Sequence, residues 1–481
     1  LSYVSTYAVA DTKSLNGNSI KRIINSDIQD ATSSFKNFVM YALFGVETNW
    51  AKADVMLSEV RKNFPKGDIT KIVEDIKKKF DTQTDEVFQY IRNSNYKQEI
   101  GRAIFDWGEL GAGCCKLVET NSDKDPFYFQ YIPVNEYLFI EDFKARPDIV
   151  VRYIYNKSVS ELEKMFPNAS LNYLKTDDKD FEDVTVVEIV TPYGDNEYEW
   201  VLFSEDLEEM LDRKIMNYNP FTVFRFNLIP NSCWGIGLGV LSLDSYQRII
   251  YYENLRARQA LRIVDPPIMV EGDNRLTESF NLQPNRINYA GDGISTRATA
   301  YPINTTGNLL PLETDIDRFK QTIQKLHFSE PFGSAENNTT RAVNEIQYRM
   351  QLLQQKFSDA VNNLFSEVLI PSFSKPRTVL LNRDLVTKVD EEKYFKPKFV
   401  NTLTKTMDAQ EVENMLSLTN VARGLFPQEA PYIYNTNKAL KFITDKLGVD
   451  KELLSTDDER NQSKQMALAT TMQMQGMAQG E

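Results

Sequence analysis

Histidine is nearly missing from these 481 residues, with His327 as the one example. A single imidazole excludes triads that carry protons on histidine and metal sites built from several histidines. Cysteine is scarce as well. Of the three, Cys114 and Cys115 are adjacent, and the set fits neither a disulfide framework nor a zinc pattern, so a reducing compartment is expected. The longest apolar run, FVMYALFGV from Phe38, is far shorter than the ~20 residues needed to cross a bilayer. The first residues lack the basic and apolar regions of an export signal, so neither a membrane nor an export route is expected. The chain starts with Leu rather than Met, so a few preceding residues are expected too. Positive charge is also in deficit. Against 68 Asp and Glu stand 55 Lys and Arg, a net −13, which argues against tight general wrapping of nucleic acid but not against DNA sliding past without sticking.

What is present is enough for several cores. At 42% hydrophobic and 26% charged, the chain reads as folded, with two to four domains expected. Between Ile20 and Ile104 the apolar residues recur at helical spacing. From about Cys115 to Ile229 the pattern shifts to β-rich runs such as YFQYIPV, IVVRYIY and FTVFRFNLI. One helix interrupts them, SVSELEKMF, with a capping box from Ser158 to Glu161. The class expected is therefore α+β with a mostly antiparallel sheet. The acidic stretch from Asp177 to Asp212 reads as solvated loops.

Beyond Val240 the pattern predicts a helix to Val264, ~37 Å long at 1.5 Å per residue, stopped by Pro266 and Pro267. A Gly-, Asn- and Pro-containing β-like excursion follows. A second helix is predicted from near Thr314 to Phe328, with the stripe Ile316, Phe319, Ile323 and Leu326, and His327 at its end, where a cation would favour the helix dipole. After the loop SEPFGSAENNTT a long helix is predicted from Thr340 to Ile370, ended by Pro371. A short strand at FKPKFVN, further helices and a Gln- and Met-rich tail from Asp457 complete the chain.

The turn Gly235, Gly237 and Gly239 sits between a strand and a helix, the place where nucleotide-binding proteins hold phosphate. Its even spacing departs from Gly-x-Gly-x-x-Gly, and Pro-Pro rather than a second acid-tipped strand follows the helix. The alternative is that these glycines let the backbone turn sharply and pack closely. An outgoing helix, an inserted module and a returning helix describe a stalk with a stripe that one chain cannot bury, so a closed ring of copies is expected.

The order and residues resemble portal proteins, the head-to-tail connectors of T7-like short-tailed bacteriophages. The matching stretches are Trp234 to Gly239, the helix with Tyr251, Asn254 and Leu255, the stop Asp265-Pro266-Pro267, GELGAGCCKLVE from Gly108, YIPVNEYLFIED from Tyr131, VVRYIYNKSVSELEKMF from Val150 and the helix ending LIPSF. Thr339-Thr340-Arg341-Ala342 departs from the Thr-Ala-Thr-Glu-like sequence usual there.

The resemblance implies a ring, usually a dodecamer, at one capsid vertex, through which double-stranded DNA is packaged and ejected. It implies a portal fold with a wing over 1–239, stem helices at 240–264 and 313–329, an inserted α/β clip at 265–312 and a tunnel loop at 330–339. The long wing helix and return strands would span 340–405, and a helical crown 406–481. Ser334, Glu336, Asn337 and Asn338 would lie on the tunnel loop and offer no cationic grip, and Arg341 just beyond it would be the best candidate for touching DNA. On the stem, Arg248, Arg256, Arg258 and Arg262 either touch passing phosphates or pair with acids such as Glu313, Asp315 and Asp317 of a neighbour, the second reading being preferred. The implied partners are further copies, the major capsid protein, scaffolding protein, the terminase large subunit, tail adaptor and nozzle proteins, and the passing DNA. The implied location is the virion, after assembly in the host cytoplasm. No cofactor and no catalytic constellation is expected. The competing function classes are a passive adaptor or scaffold ring without DNA contact and a nucleotide-dependent enzyme using the Gly235 to Gly239 turn.

Overall fold

The structure is a computed structural model. It describes residues 27–425 apart from 46–48, 64–68, 144, 168, 170–183, 195–196, 205–208, 272–279, 291–298, 304–309, 330–347 and the single positions 350, 354, 390, 391 and 401, and further on 439–440 and 442–444. The chain divides into two compact units, Leu1–Lys398 and Phe399–Glu481.

The first unit begins with α1 (Asp27–Phe44), whose buried face of Ile28, Phe35 and Val39 follows helical spacing. Next come β1 (Ala51–Val55), α2 (Leu57–Asn63), α3 (Ile69–Asn93) and α4 (Tyr96–Glu109). The N-terminal region was expected to be wholly helical, and β1 corrects that. It alternates buried and exposed residues and pairs with β15 (Phe395–Phe399), more than three hundred positions away, so nothing local announces it.

The β-rich region holds β2 (Ala112–Glu119), β3 (Phe127–Ile132), β4 (Tyr137–Glu141), β5 (Pro147–Lys157), α5 (Val159–Met165), β6 (Val184–Gly194), β7 (Glu197–Ser204), β8 (Glu209–Met216) and β9 (Phe221–Arg225). Ser158 caps α5 by accepting the Glu161 N–H on its Oγ at 3.4 Å. Two sheets result, β3-β2-β9 and the meander β4-β5-β6-β7-β8, both antiparallel as expected. Between them lies a core around Cys114, Ile132, Val150, Val186, Val190, Trp200 and Leu202. Cys114 and Cys115 are free and buried.

A small antiparallel pair, β10 (Asn227–Leu228) with β11 (Gly235–Ile236), leads to α6 (Leu238–Leu241) and α7 (Leu243–Val264). Ser242 separates the two helices and donates its Oγ–H to Gly239 O at 3.0 Å, so the outgoing helix is interrupted there rather than running unbroken from Val240. Its end at Val264, just before the prolines, is as read. The excursion contains β12 (Ile268–Glu271), parallel to β13 (Ile287–Ala290) and antiparallel to β14 (Thr299–Pro302). Its described residues are strands and turns, without a helix.

The returning helix, α8 (Leu310–Leu326), starts four residues before Thr314. Pro311 fits its first turn, where a missing N–H costs nothing, and the Thr314 hydroxyl donates back to Leu310 O at 2.9 Å as an interior residue does.

Beyond it, the unbroken helix expected from Thr340 to Ile370 is overturned where it is described. Helical residues up to 356 give way at Phe357 (φ −136°, ψ 53°), whose ring packs against Phe226 at 5.1 Å and Phe328 at 6.3 Å. After α9 (Ser358–Asn363) come a π-helical stretch, Leu364–Leu369, and α10 (Ile370–Asn382). Pro371 does not end the helix. In an α-helical turn its ring would meet the Glu367 carbonyl, and the wider turn, with Ile370 N–H bonded to Phe365 O, removes that clash. In the second unit, α11 (Thr402–Leu425) is the expected helix around AQEVENMLSLTNVAR.

Candidate functional site

The glycine turn comes first because it joins the sheets to the helical hairpin. A Cβ on Gly237 would lie 2.5 Å from the Glu109 carbonyl and 2.6 Å from Gly111 N, and one on Gly235 would lie 2.5 Å from Gly111 O. Real Cβ atoms do not come that close, so only glycine lets this turn sit against the end of α4. The partner is equally constrained. Gly111 has φ +103°, accepts the Phe226 N–H on its carbonyl at 2.8 Å, and would collide with Gly235 O at 2.4 Å if substituted. The space a phosphate would need on that side is filled by the chain's own backbone. The two glycine motifs, GELGAG and WGIGLG, are thus two halves of one backbone-to-backbone lock.

Beside it, Glu109 is buried and its Cγ faces Gly239. Burial, reinforced by the nearby Asp106 charge, raises its carboxyl to about 7. Asp106 is raised to about 6 by burial, against the Tyr131 hydroxyl that donates to it at 2.5 Å.

Above the lock, α7 and α8 pack as a hairpin. Ile249, Ile316 and Ile323 are buried between them and α1, where they meet Ile28 and Ala31, and Tyr252 stacks on Phe319 at 6.0 Å. Lys320 reaches Asp27 at 3.2 Å and Glu253 at 3.8 Å, tying both α1 and α7 to α8. Other large apolar side chains of the hairpin are exposed: Tyr251 by 62%, Leu261 by 53% and Val264 by 75%.

Arg248 pairs with Asp244 at 3.1 Å and lies 5.7 Å from the Phe319 ring. Arg256 and Arg258 are exposed and Arg262 half-buried, with no ion pair among the described residues. Asp317 is exposed and Asp315 half-buried on the other helix. Pro267 is buried and Pro266 half-buried at the entry to the three-stranded tip, where Pro267 O accepts the Ile303 N–H at 2.7 Å. Ser334, Glu336, Asn337, Asn338 and Arg341 lie outside the described residues.

His327 is not the helix-end cation expected. It is fully buried, donates from Nδ1 to Ile323 O at 2.9 Å, and burial lowers its pKa against that hydrogen bond, so the ring is neutral.

Two charge clusters escaped sequence reasoning. Glu188 is fully buried yet receives Lys116, Arg152 at 3.3 Å and the Trp200 indole N–H at 3.1 Å. Burial opposes its ionisation, but the two cations outweigh burial and hold it below the usual carboxylate range. Arg225 is likewise buried and joins β9 to the π-helical stretch through Glu367 and to the end of β4 through Glu141. In sequence Lys116, Arg152, Glu188 and Arg225 read as polar members of β-rich runs and Glu367 as the polar member of a helical one, so no local signal marks them. For the lock, the repeated glycine spacing in both motifs was the available signal.

The chain belongs to the family of bacteriophage head to tail connecting proteins, whose family model matches residues 6–454. Among solved structures, it is similar to an HK97-family phage portal protein from Corynebacterium diphtheriae, at 8% identity over 75% of this chain and 95% of that one, with a TM-score of 0.31. It is also similar to a chain of the virion of a native gene transfer agent particle, at 9% identity over 88% and 94%, with a TM-score of 0.36. No curated protein matches it. Among the described residues no helix is long and apolar enough to cross a membrane, and no cluster of His, Cys, Asp and Glu has the arrangement of a metal site.

Proposed function

We propose that this chain is a phage portal protein. Copies of it, about twelve by the family resemblance, close a ring at one capsid vertex, and double-stranded DNA passes through the ring during packaging and ejection. Residues 1–239 form the wing, with α7 and α8 as the stem, the three-stranded excursion as the clip, 330–339 as the tunnel loop, 340–405 as the returning part of the wing, and 406–481 as the crown. The clip meets the terminase large subunit during packaging and the tail adaptor and nozzle proteins later. The wing meets the major capsid and scaffolding proteins. Assembly takes place in the host cytoplasm and the product is a virion component.

The observation that carries this reading, beside the family, is the hairpin. A helix pair that leaves Tyr251, Leu261 and Val264 exposed is suited to another copy packing against it, and a heterologous contact repeated by rotation closes into a ring. The net charge of −13 suits a channel that repels DNA instead of holding it. Single-particle imaging of the purified protein, with its mass in solution, tests the reading. The expected result is a ring with an axial hole wide enough for a duplex of ~20 Å across. A compact monomer or dimer without a channel overturns it.

A further inference from the structure

Where β2 ends, a cavity of about 540 Å³ lies between the two antiparallel sheets. The end of β2 lines it from one sheet and β7 and β8 from the other, with residues at the ends of α5 and α10 completing the wall. Small-molecule sites run from about 300 to 1,000 Å³, so the space suits one organic ligand. Met165, Phe166, Pro167 and Trp200 make much of the wall apolar.

Charge on the lining is reversed relative to the chain. Against a net −13 overall, the described residues of this wall include three cations, Lys116, Lys214 and Arg383, and one carboxylate, Glu119. Two of the cations are committed. Lys116 is buried on Glu188 and lies 5.4 Å from the Phe166 and Phe221 ring centroids and 5.9 Å from that of Trp200. Arg383 is held by Glu119 at 3.0 Å. Lys214 is different. Its neighbour is Asp212 on the same strand, at 2.9 Å, yet Asp212 Oδ2 receives no hydrogen bond, and the lysine side chain is 46% exposed. Such a pair contributes little, and the ammonium stands 5.1 Å from the Trp200 ring centroid, beside the apolar wall.

We propose that this cavity binds an apolar carboxylate, with its ring or alkyl group against Trp200 and Phe166 and its acid on Lys214. Phosphate fits less well, because the guanidinium fork that would grip it is already on Glu119. An apolar carboxylate has two sources, a free aromatic or aliphatic acid and the C-terminus of a peptide. The adjoining hollow of about 330 Å³ shares Glu119, Ile215 and Met216 with the cavity and carries the Asn217 and Asn382 amides, which suit a peptide main chain. The site belongs to one chain and does not depend on the ring reading.

The test titrates the full chain with phenylpropionate, a free acid, and with N-acetyl-leucyl-phenylalanine, a peptide C-terminus, each beside its neutral carboxamide. Saturation-transfer NMR reads the affinities. At least one acid is expected to bind saturably, and its carboxamide at least about tenfold more weakly, the loss of one charge-assisted hydrogen bond. Lys214→Gln should keep the wild-type thermal midpoint and erase the preference for acid over amide. Tighter binding of the dipeptide supports the site with a peptide partner as the source, and tighter binding of phenylpropionate supports it with a free acid. The proposal is overturned if neither acid saturates at millimolar concentration, if acid and amide bind alike, or if the advantage of the acid survives in folded Lys214→Gln.

Discussion

Glu367 holds Arg225 by main chain and side chain together: its carboxylate accepts the Arg225 N–H at 2.9 Å, Nε–H at 3.1 Å and an Nη2–H at 2.5 Å. The pair lies 142 positions apart in sequence and joins the π-helical stretch to β9. Arg225 reaches on to Glu141 and to Ala145 O at 2.8 Å, so one guanidinium gathers three segments. Burial raises the Glu367 pKa, while the arginine at its side opposes that shift.

Removing Glu367 therefore leaves the Arg225 main-chain N–H and Nε–H without their acceptor in a buried place, with Glu141 as the remaining carboxylate on the guanidinium. Glu367→Ala is expected to lower the unfolding free energy by about 3–5 kcal/mol, and Glu367→Gln, which keeps an acceptor, by less. Urea denaturation measures both. Equal small losses would mean that the junction is held by packing alone.

That junction also shows where the sequence stops being legible. Periodicity sufficed for α3, α4 and α7, since each buries a stripe whose spacing is written locally. It failed at Pro371, because a proline stops a helix only when the turn around it is α-helical, and the turn type depends on what Glu367 reaches. It failed at β1, whose partner β15 is more than three hundred residues away. Lys116, Arg152 and Glu188 sit at alternating positions that look solvent-facing until two sheets close over them. At Gly235, Gly237 and Gly239 an added Cβ would meet the backbone around Glu109 and Gly111, a close approach that the glycine spacing itself signals. The role of the hairpin charges depends on a neighbour and is not written in one chain.

The lock between GELGAG and WGIGLG gives a sharp contrast between glycines. Gly237→Ala places a Cβ 2.5 Å from the Glu109 main chain, which cannot move aside as a flexible side chain would. A loss of about 3 kcal/mol or more is expected, with little soluble protein. Gly424, inside α11, has nothing within 4 Å of its built Cβ, so Gly424→Ala should stabilise its helix by up to about 1 kcal/mol. Thermal unfolding of the two variants side by side reads the difference.

Glu109 makes stability depend on pH in a definite direction. Its folded pKa, about 7, lies above the ordinary carboxylate value of 4.5, so between these values the folded chain binds more protons than the unfolded one. Stability from this group is full below pH 4.5 and is lost as pH rises through about 7. Asp106, raised to about 6, acts in the same sense. Glu109→Gln should flatten the profile over that window and make the variant more stable than wild type at pH 8, by about 2–3 kcal/mol. Denaturation at a series of pH values tests this. An unchanged slope would assign the dependence elsewhere.

The exposed arginines of α7 separate two roles within the proposed ring. If Arg258 pairs with an acid of the next hairpin, Arg258→Glu weakens assembly, and adding Asp317→Arg restores it by exchanging the charges. Each exposed pair contributes only about 0.2–1 kcal/mol, yet the contact repeats at every subunit boundary, so the assembly midpoint should shift measurably and the shift should shrink in high salt. If Arg258 instead meets passing phosphates, Arg258→Glu assembles normally and the charge exchange rescues nothing, while DNA packaging falls. Measuring ring formation and packaging on the same variants separates the roles, because only subunit pairing predicts rescue by the second substitution.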